Sequence, residues 1–453
     1  MIKKGPRAIC LDILNRTEEA DSHLDRLLTD SFKRYRQLTP LDKGFLTELI
    51  YGIIRWREKL DWVIRHFSQI PFEKIELEIL NTLRLGLYQI LFLSRTPSSA
   101  AVNESAELAK RIRGKGGAGF VNGVLRSSIR QKDEIRYPEI TEDPILHISV
   151  VQSHPLWLVQ RWVKEMGVEE ALRICKFNNQ ISPLTLRTNT LKTNRKDLVE
   201  KLNQEGLSSF PTTYSKEGIM LKDPPPTSEL PFIKTGLYII QDEASQLVTS
   251  VLEPRPGERI LDGCAAPGGK TTHMAQQMEN LGEIQAFDLS KKKIDLIEKM
   301  CQRFGIKMVK TIKADVTRAL PISQGLVFDR VLADVPCSGF GTLRKNPDLK
   351  WRRGEKDVKR LSDVQSSILR NLSGYVKEGG ILVYSTCTVF REENEDVVEG
   401  FLEGHPEFHL DRVSKILPEK CHNLDNNGYF KTFPPKDEMD GFFVARMVKD
   451  NRQ

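Results

Sequence analysis

The chain has 453 residues, 39% hydrophobic and 28% charged, with a mean hydropathy of −0.37 and a formal charge of +7 from 68 basic and 61 acidic side chains. Roughly three domains fit that length at about 150 residues each, and the apolar fraction excludes a wholly disordered chain. The longest apolar runs, as in Leu85–Leu93, are too short to span a membrane, and Met1–Arg7 meets Asp12 before a signal-like core builds up, so a cytoplasmic protein is expected.

Residues 1–136 are predicted to be all-helical. Apolar positions recur at helical spacing through Phe45, Leu46, Leu49, Ile50, Ile53 and Ile54, and again through Ile75, Leu77, Ile79, Leu80, Leu83 and Leu87. Breaks are expected at Pro71, at Pro97 and across the run Gly114–Gly119. Residues 137–253 read as a small α+β connector, with helices around Leu156–Glu165 and Val168–Asn178 and short strands at Leu184–Asn189 and Gly236–Ile240. The consecutive prolines of Asp223–Pro231 mark a loop, since they supply no donors to a helix or sheet.

From residue 254 to 453 strand, turn and helix alternate. Expected strands are Arg259–Asp262, Glu283–Asp288, Val309–Ala314, Phe328–Asp334, Gly380–Ser385 and Gly441–Arg446. That alternation implies a mostly parallel, Rossmann-like α/β sheet, which binds ligands beyond the carboxyl ends of its strands. Asp262, Asp288, Asp315, Asp334 and Ser385–Cys387 all fall at or just after such ends, and so locate the expected site.

The first turn of this region, Asp262-Gly-Cys-Ala-Ala-Pro-Gly-Gly-Lys-Thr271, nearly matches a phosphate-binding P-loop. Gly269-Lys270-Thr271 fits, but the opening glycine would have to stand at Cys264, and Pro267 removes an amide from the arc. The better reading is a glycine-rich turn bringing backbone close to a small cofactor at a helix N-terminus, with Asp288 ending the next strand and accepting from ribose hydroxyls.

Charge and cysteine placement add an anionic partner and a chemistry. Eight basic residues against two acidic ones lie between Lys110 and Arg136, and eight against three between Gly341 and Arg360; two such stretches suggest nucleic acid. The seven cysteines, Cys10, Cys175, Cys264, Cys301, Cys337, Cys387 and Cys421, are widely spaced without a Cys-x-x-Cys pair, so reduced thiols are expected, with no metal site. Cys337 and Cys387 sit in turns after what should be neighbouring strands, where helix N-termini and the nearby Arg344 and Lys345 are expected to lower a thiol pKa. A thiolate beside a methyl donor suits methylation of a pyrimidine at C5: addition at C6 makes C5 nucleophilic, and a base must then remove the C5 proton. Asp334 is placed to steady the adduct through N3 or the exocyclic amine. These residues leave open which cysteine attacks.

Cys264-Ala-Ala-Pro-Gly-Gly-Lys270, Asp334-Val-Pro-Cys337 and Ser385-Thr-Cys387, with Asn346-Pro-Asp-Leu-Lys-Trp351 and Asp440-Gly-Phe-Phe443, resemble the RNA cytosine-C5 methyltransferases of the Nop2/Sun/Fmu family. Asn103–Ala109 and Gly119–Leu125 extend the resemblance to a NusB-like RNA-binding domain over residues 1–136. The resemblance implies three parts: the all-α NusB-like domain, the α+β connector, and a Rossmann-like S-adenosylmethionine-dependent methyltransferase domain. It implies S-adenosyl-L-methionine held by Cys264, Ala265, Ala266, Pro267, Gly268, Gly269, Lys270, Asp288 and Asp315, with Asp334 between donor and base. It assigns the nucleophile to Cys387 and product release to Cys337, and implies 16S rRNA as the partner, with cytosine 967 as target; nothing in the sequence demands more than a monomer. His154, Trp157 and Arg187–Asn189 are further expected RNA contacts. A tRNA cytosine methyltransferase, and an RNA-binding scaffold with a vestigial domain, are the alternatives.

Overall fold

A computed structural model describes residues 5–18 and 24–451; Met1–Lys4, part of the N-terminal stretch read above, lie outside them. The chain divides into two compact units: residues up to Gln180 together with Asn346–Trp351, and Ile181–Lys345 together with the chain from Arg352 onward. No helix among the described residues is long and apolar enough to cross a membrane.

The first unit is helical throughout, with helices at Pro6–Thr17, Leu24–Arg34, Pro40–Arg55, Arg57–Phe67, Leu77–Phe92, Ser98–Arg130, Pro144–Val151 and Leu156–Asn178, this final stretch kinked at Gly167 (φ 83°) between the two helices expected there. Local chemistry sets the ends. Thr39 and Asp42 exchange side chain-to-backbone hydrogen bonds around Pro40 in a capping box, and Pro97 immediately precedes Ser98–Arg130. The run Gly114–Gly119 opens on the expected break in this last helix. Arg113 and Gly114 (φ 64°) leave helical geometry and kink the chain between two helical segments, and the second segment forms because Val121 and Leu125 are fully buried on it. Burying that stripe outweighs the roughly 1 kcal/mol that each helical glycine costs. At Gly117 a Cβ would stand 2.7 Å from the Arg113 Cβ, so the close approach there suits glycine.

Asn346–Trp351 packs as part of this helical unit. Lys350 is buried and donates to the Arg55 carbonyl at 2.9 Å, and the Trp351 indole donates to the Ile54 carbonyl at 2.7 Å. Burial pushes the Lys350 ammonium well below its ordinary range.

The second unit holds two sheets. The smaller is antiparallel in the order β2-β3-β1-β4, with β1 Leu184–Thr188, β2 Ser208–Pro211, β3 Gly218–Lys222 and β4 Tyr238–Ile240. Leu186, Ile219 and Leu221 pack on Leu198 and Leu202 of helix Arg195–Gln204. The larger contains β5 Arg259–Asp262, β6 Glu283–Asp288, β7 Val309–Lys313, β8 Phe328–Asp334, β9 Val376–Thr386, β10 Phe408–Leu410, β11 Asp425–Asn426, β12 Tyr429–Lys431 and β13 Phe443–Lys449. Its order is β11-β12-β13-β9-β8-β5-β6-β7, with β10 also paired to β13. The strands from β7 to β9 are parallel, and β10 to β13 add an antiparallel edge. The order reverses between β5 and β8, and a crevice beyond the strand ends opens at such a reversal.

Candidate active site

The parallel register of β8 and β9 pairs Asp334 with Ser385, which sets the turns after the two strands side by side. The Cys337 and Cys387 sulfurs are 3.2 Å apart, and the Cys387 amide donates to the Cys337 sulfur at 3.3 Å. The Gly341 amide donates to the Cys387 carbonyl at 3.0 Å, and the Gly441 amide to the Gly341 carbonyl at 2.8 Å. A Cβ at Gly341 would lie 2.0 Å from the Gly441 carbonyl oxygen, so no larger residue fits this contact. The rings of Phe340 and Phe390 close the two turns from behind, 5.0 Å between centroids.

Asp334 accepts from the Ser385 hydroxyl at 2.7 Å and from the Lys270 ammonium at 2.7 Å. Lys270 therefore leaves the glycine-rich turn and points to the carboxylate of the cysteine site, over the Phe442 ring. The expected lowering of the thiol pKa is corrected for Cys387. Lys345 is held by Asp242 and Asp440, and Arg344 donates to the Ile181 carbonyl, so these charges serve other partners. The hydrogen bond with Cys337, together with burial, holds the Cys387 thiol well above its ordinary range.

The glycine-rich turn runs from the end of β5 into helix Gly269–Gln277, with Gly268 at φ 102° where an L side chain would be strained. Asp262 is buried at its start; one oxygen accepts from the Thr271 hydroxyl at 2.6 Å and the other has no partner among the described residues. Burial raises its pKa to about 7. Asp288, buried at the end of β6, accepts from the Ser290 amide at 3.2 Å and the Ala266 amide at 3.4 Å. Asp315, past the end of β7, accepts from the Thr317 amide and hydroxyl and is half-exposed. Burial pushes the Cys264 thiol up. The Thr271 and Ala266 contacts thus tie the turn to the acids that end β5 and β6, whose acceptors suit hydroxyl and amine donors, while the helix N-terminus suits an anionic group.

Several residues expected at the RNA surface lie inside. His154 is fully buried with its Nδ1 on the Gln152 carbonyl, because Trp162 and Asn178 pack around it. Arg187, Thr188 and Asn189 are fully buried as well. Arg187 donates to the Gly269 carbonyl and, at 2.9 Å, to the Thr272 hydroxyl, so it braces the helix that opens from the glycine-rich turn. Asn189 joins Gly236, Phe304 and Gln276. Neither bracing role was readable from the sequence, where Arg-Thr-Asn carries the same letters as a surface polar run. Glu393 and Gln365 behind the cysteine turns were also missed; the only signal was an acidic residue following the Thr-Cys turn.

Comparison with known proteins follows the same anatomy. The NusB family model matches residues 4–130, a ferredoxin-like domain of RsmF/B-like methyltransferases matches 154–228, and the 16S rRNA methyltransferase RsmB/F model matches 249–448. A Bacillus subtilis protein named probable ribosomal RNA small subunit methyltransferase B is 38% identical over 451 residues, covering 99% of this chain and 100% of its own. The chain belongs to the RsmB family. The Pseudomonas syringae ribosomal RNA small subunit methyltransferase B is 35% identical, over 90% of this chain and 89% of its own. Among solved structures, PH0851 superposes over 99% of both chains with a TM-score of 0.83 at 28% identity. NSun6 from Pyrococcus horikoshii, solved with SFG, covers 67% of this RsmB-family chain and 100% of its own, with a TM-score of 0.59 at 25% identity.

Proposed function

We propose that this chain methylates C5 of one cytosine in 16S rRNA, by resemblance cytosine 967, with S-adenosylmethionine as donor and a covalent bond from Cys387 to C6 as the intermediate. The observation that carries the reading is the pair of thiols 3.2 Å apart next to a carboxylate held by Lys270 and Ser385. The names of the relatives, and the SFG-bound structure of NSun6, support it. Cys264–Lys270, Asp288 and Asp315 would hold the cofactor, which supplies a methyl group on a sulfonium as the electrophile.

The remaining chemistry belongs to the protein and the base. Cys387 loses its proton to solvent, and the thiolate sulfur adds to C6 of the cytosine. The electron pair of the C5–C6 double bond moves to C5, which takes the methyl group. Asp334 binds the exocyclic amine or a protonated N3 and balances the charge that develops on the ring. A base then removes the C5 proton, and the double bond re-forms and expels the Cys387 thiolate, the release in which the resemblance gives Cys337 its role. The target base must leave its stack to reach the thiols. Lys110, Arg111, Arg113, Lys115, Arg126, Arg130, Lys132 and Arg136 are all exposed and supply phosphate contacts that position RNA without reading its sequence.

The test is transfer of label from tritiated S-adenosylmethionine to protein-free small-subunit rRNA, with tRNA in parallel. Label in 5-methylcytosine at one rRNA position is the expected result. Label on tRNA alone would move the substrate, and no label on either would leave an RNA-binding scaffold.

A further inference from the structure

Behind the two cysteine turns lies a carboxylate that the reaction above leaves unused. Glu393 ends the short 3-10 turn Arg391–Glu393, and its side chain is completely buried. One carboxylate oxygen accepts from the Ser338 amide at 2.8 Å and from the Gln365 amide nitrogen at 2.9 Å; the other accepts from the Ser338 hydroxyl. The Ser338 hydroxyl is also 2.9 Å from that of Thr388, and Gln365 donates to the Pro336 carbonyl at 3.0 Å. The Tyr384 hydroxyl holds the Glu393 carbonyl at 2.5 Å. Among the described residues no lysine, arginine or histidine pairs with this carboxylate.

A buried carboxylate without a countercharge is costly, and here every one of its donors belongs to a cysteine turn or to the helix that buttresses it. The contacts bracket Cys337 on both sides, through Gln365 to Pro336 and directly to Ser338. They also tie Ser338 to Thr388, the residue after Cys387. Glu393 thus joins, from outside the thiols themselves, the two turns whose sulfurs stand 3.2 Å apart.

We propose that Glu393 is a positioning residue for the release step: it fixes the Cys337 turn against the Cys387 turn, so that the Cys337 sulfur reaches the C5 proton while RNA is covalently attached. The inference rests on the methyltransferase reading given above. Burial raises the Glu393 pKa while its hydrogen bonds oppose that rise, so the anchor is strongest where the carboxylate stays ionised.

The experiment compares wild type, Cys337→Ala, Glu393→Ala, Glu393→Gln and Gln365→Met on the same rRNA. It measures methyl transfer in a single turnover, multiple-turnover rate, and covalent protein–RNA adduct on denaturing gels. In Glu393→Ala the first methyl transfer is expected within several-fold of wild type. Multiple turnover should fall by about 10²-fold, the size of effect an ångström of misplacement produces, and adduct should accumulate as in Cys337→Ala. Glu393→Gln, which keeps an acceptor for the Ser338 amide, should recover part of the turnover. Gln365→Met should show a weaker form of the same defect, and it serves where Glu393→Ala does not fold. Equal losses in single and multiple turnover without adduct, or wild-type release in every variant, would overturn the proposal. Absence of methylation in wild type would instead overturn the methyltransferase reading.

Discussion

Cys337 and Cys387 follow the ends of two adjacent parallel strands, and each lies in a turn closed by a phenylalanine, yet their surroundings differ in direction. The Cys337 sulfur is an acceptor: it receives the backbone N–H of Cys387, and the proline before it has no N–H to compete. Cys387 spends its own amide on its partner and its carbonyl on Gly341, and its thiol is held protonated. Position on the scaffold made the two cysteines look equivalent. The donors around each of them separate a hydrogen-bond acceptor from a nucleophile that must first give up its proton.

Substitutions break this comparison in order of size. Cys387→Ser should abolish methyl transfer, by more than about 10⁴-fold, as losing a nucleophile does elsewhere; residual turnover there with a dead Cys337→Ser would reverse the two roles. Cys337→Ser should keep one methyl transfer per protein and lower multiple turnover by about 10²–10⁴-fold, with adduct visible on a denaturing gel. Asp334→Asn, which leaves Lys270 facing a neutral amide, should cost about 10²–10³-fold in kcat, read from initial rates at saturating rRNA.

The comparison is sharpened most gently by pH. Because the Cys337 hydrogen bond and burial raise the Cys387 pKa, its thiolate fraction is small at neutral pH and grows as pH rises. Alkylation of Cys387 by iodoacetamide, mapped by mass spectrometry, should therefore accelerate towards alkaline pH. In Cys337→Ala the same rise should begin at lower pH; an unmoved profile would show that Cys337 does not hold the proton on its partner.

The strands of the larger sheet and the contents of its strand ends were legible in the sequence because alternation and turn chemistry are local. So were Asp334, Cys337 and Cys387 as neighbours, since strand order in an α/β sheet follows from few rules. The short strands β10, β11 and β12 were not, since each is only two or three residues long and carries no periodicity of its own. Charge was the least legible property. The stretch from Lys110 to Arg136 is exposed, but that from Gly341 to Arg360 contains Lys345 between two aspartates and Lys350 in a core. A count of basic residues cannot separate a solvated face from charges neutralised inside, because the partners that neutralise them, Asp242 and Asp440, lie about a hundred residues away.

The placement of Lys350 and Trp351 in the helical unit bears on the order in which the protein can be made. The helices up to Gln180 leave the ribosome first, but the carbonyls of Ile54 and Arg55 do not receive their donors until residue 351 has been synthesised. At the usual pace of synthesis that interval is roughly 10–30 s. For that time the N-terminal helices form a core missing one of its pieces, and a fragment cut at Gln180 would stay in that condition.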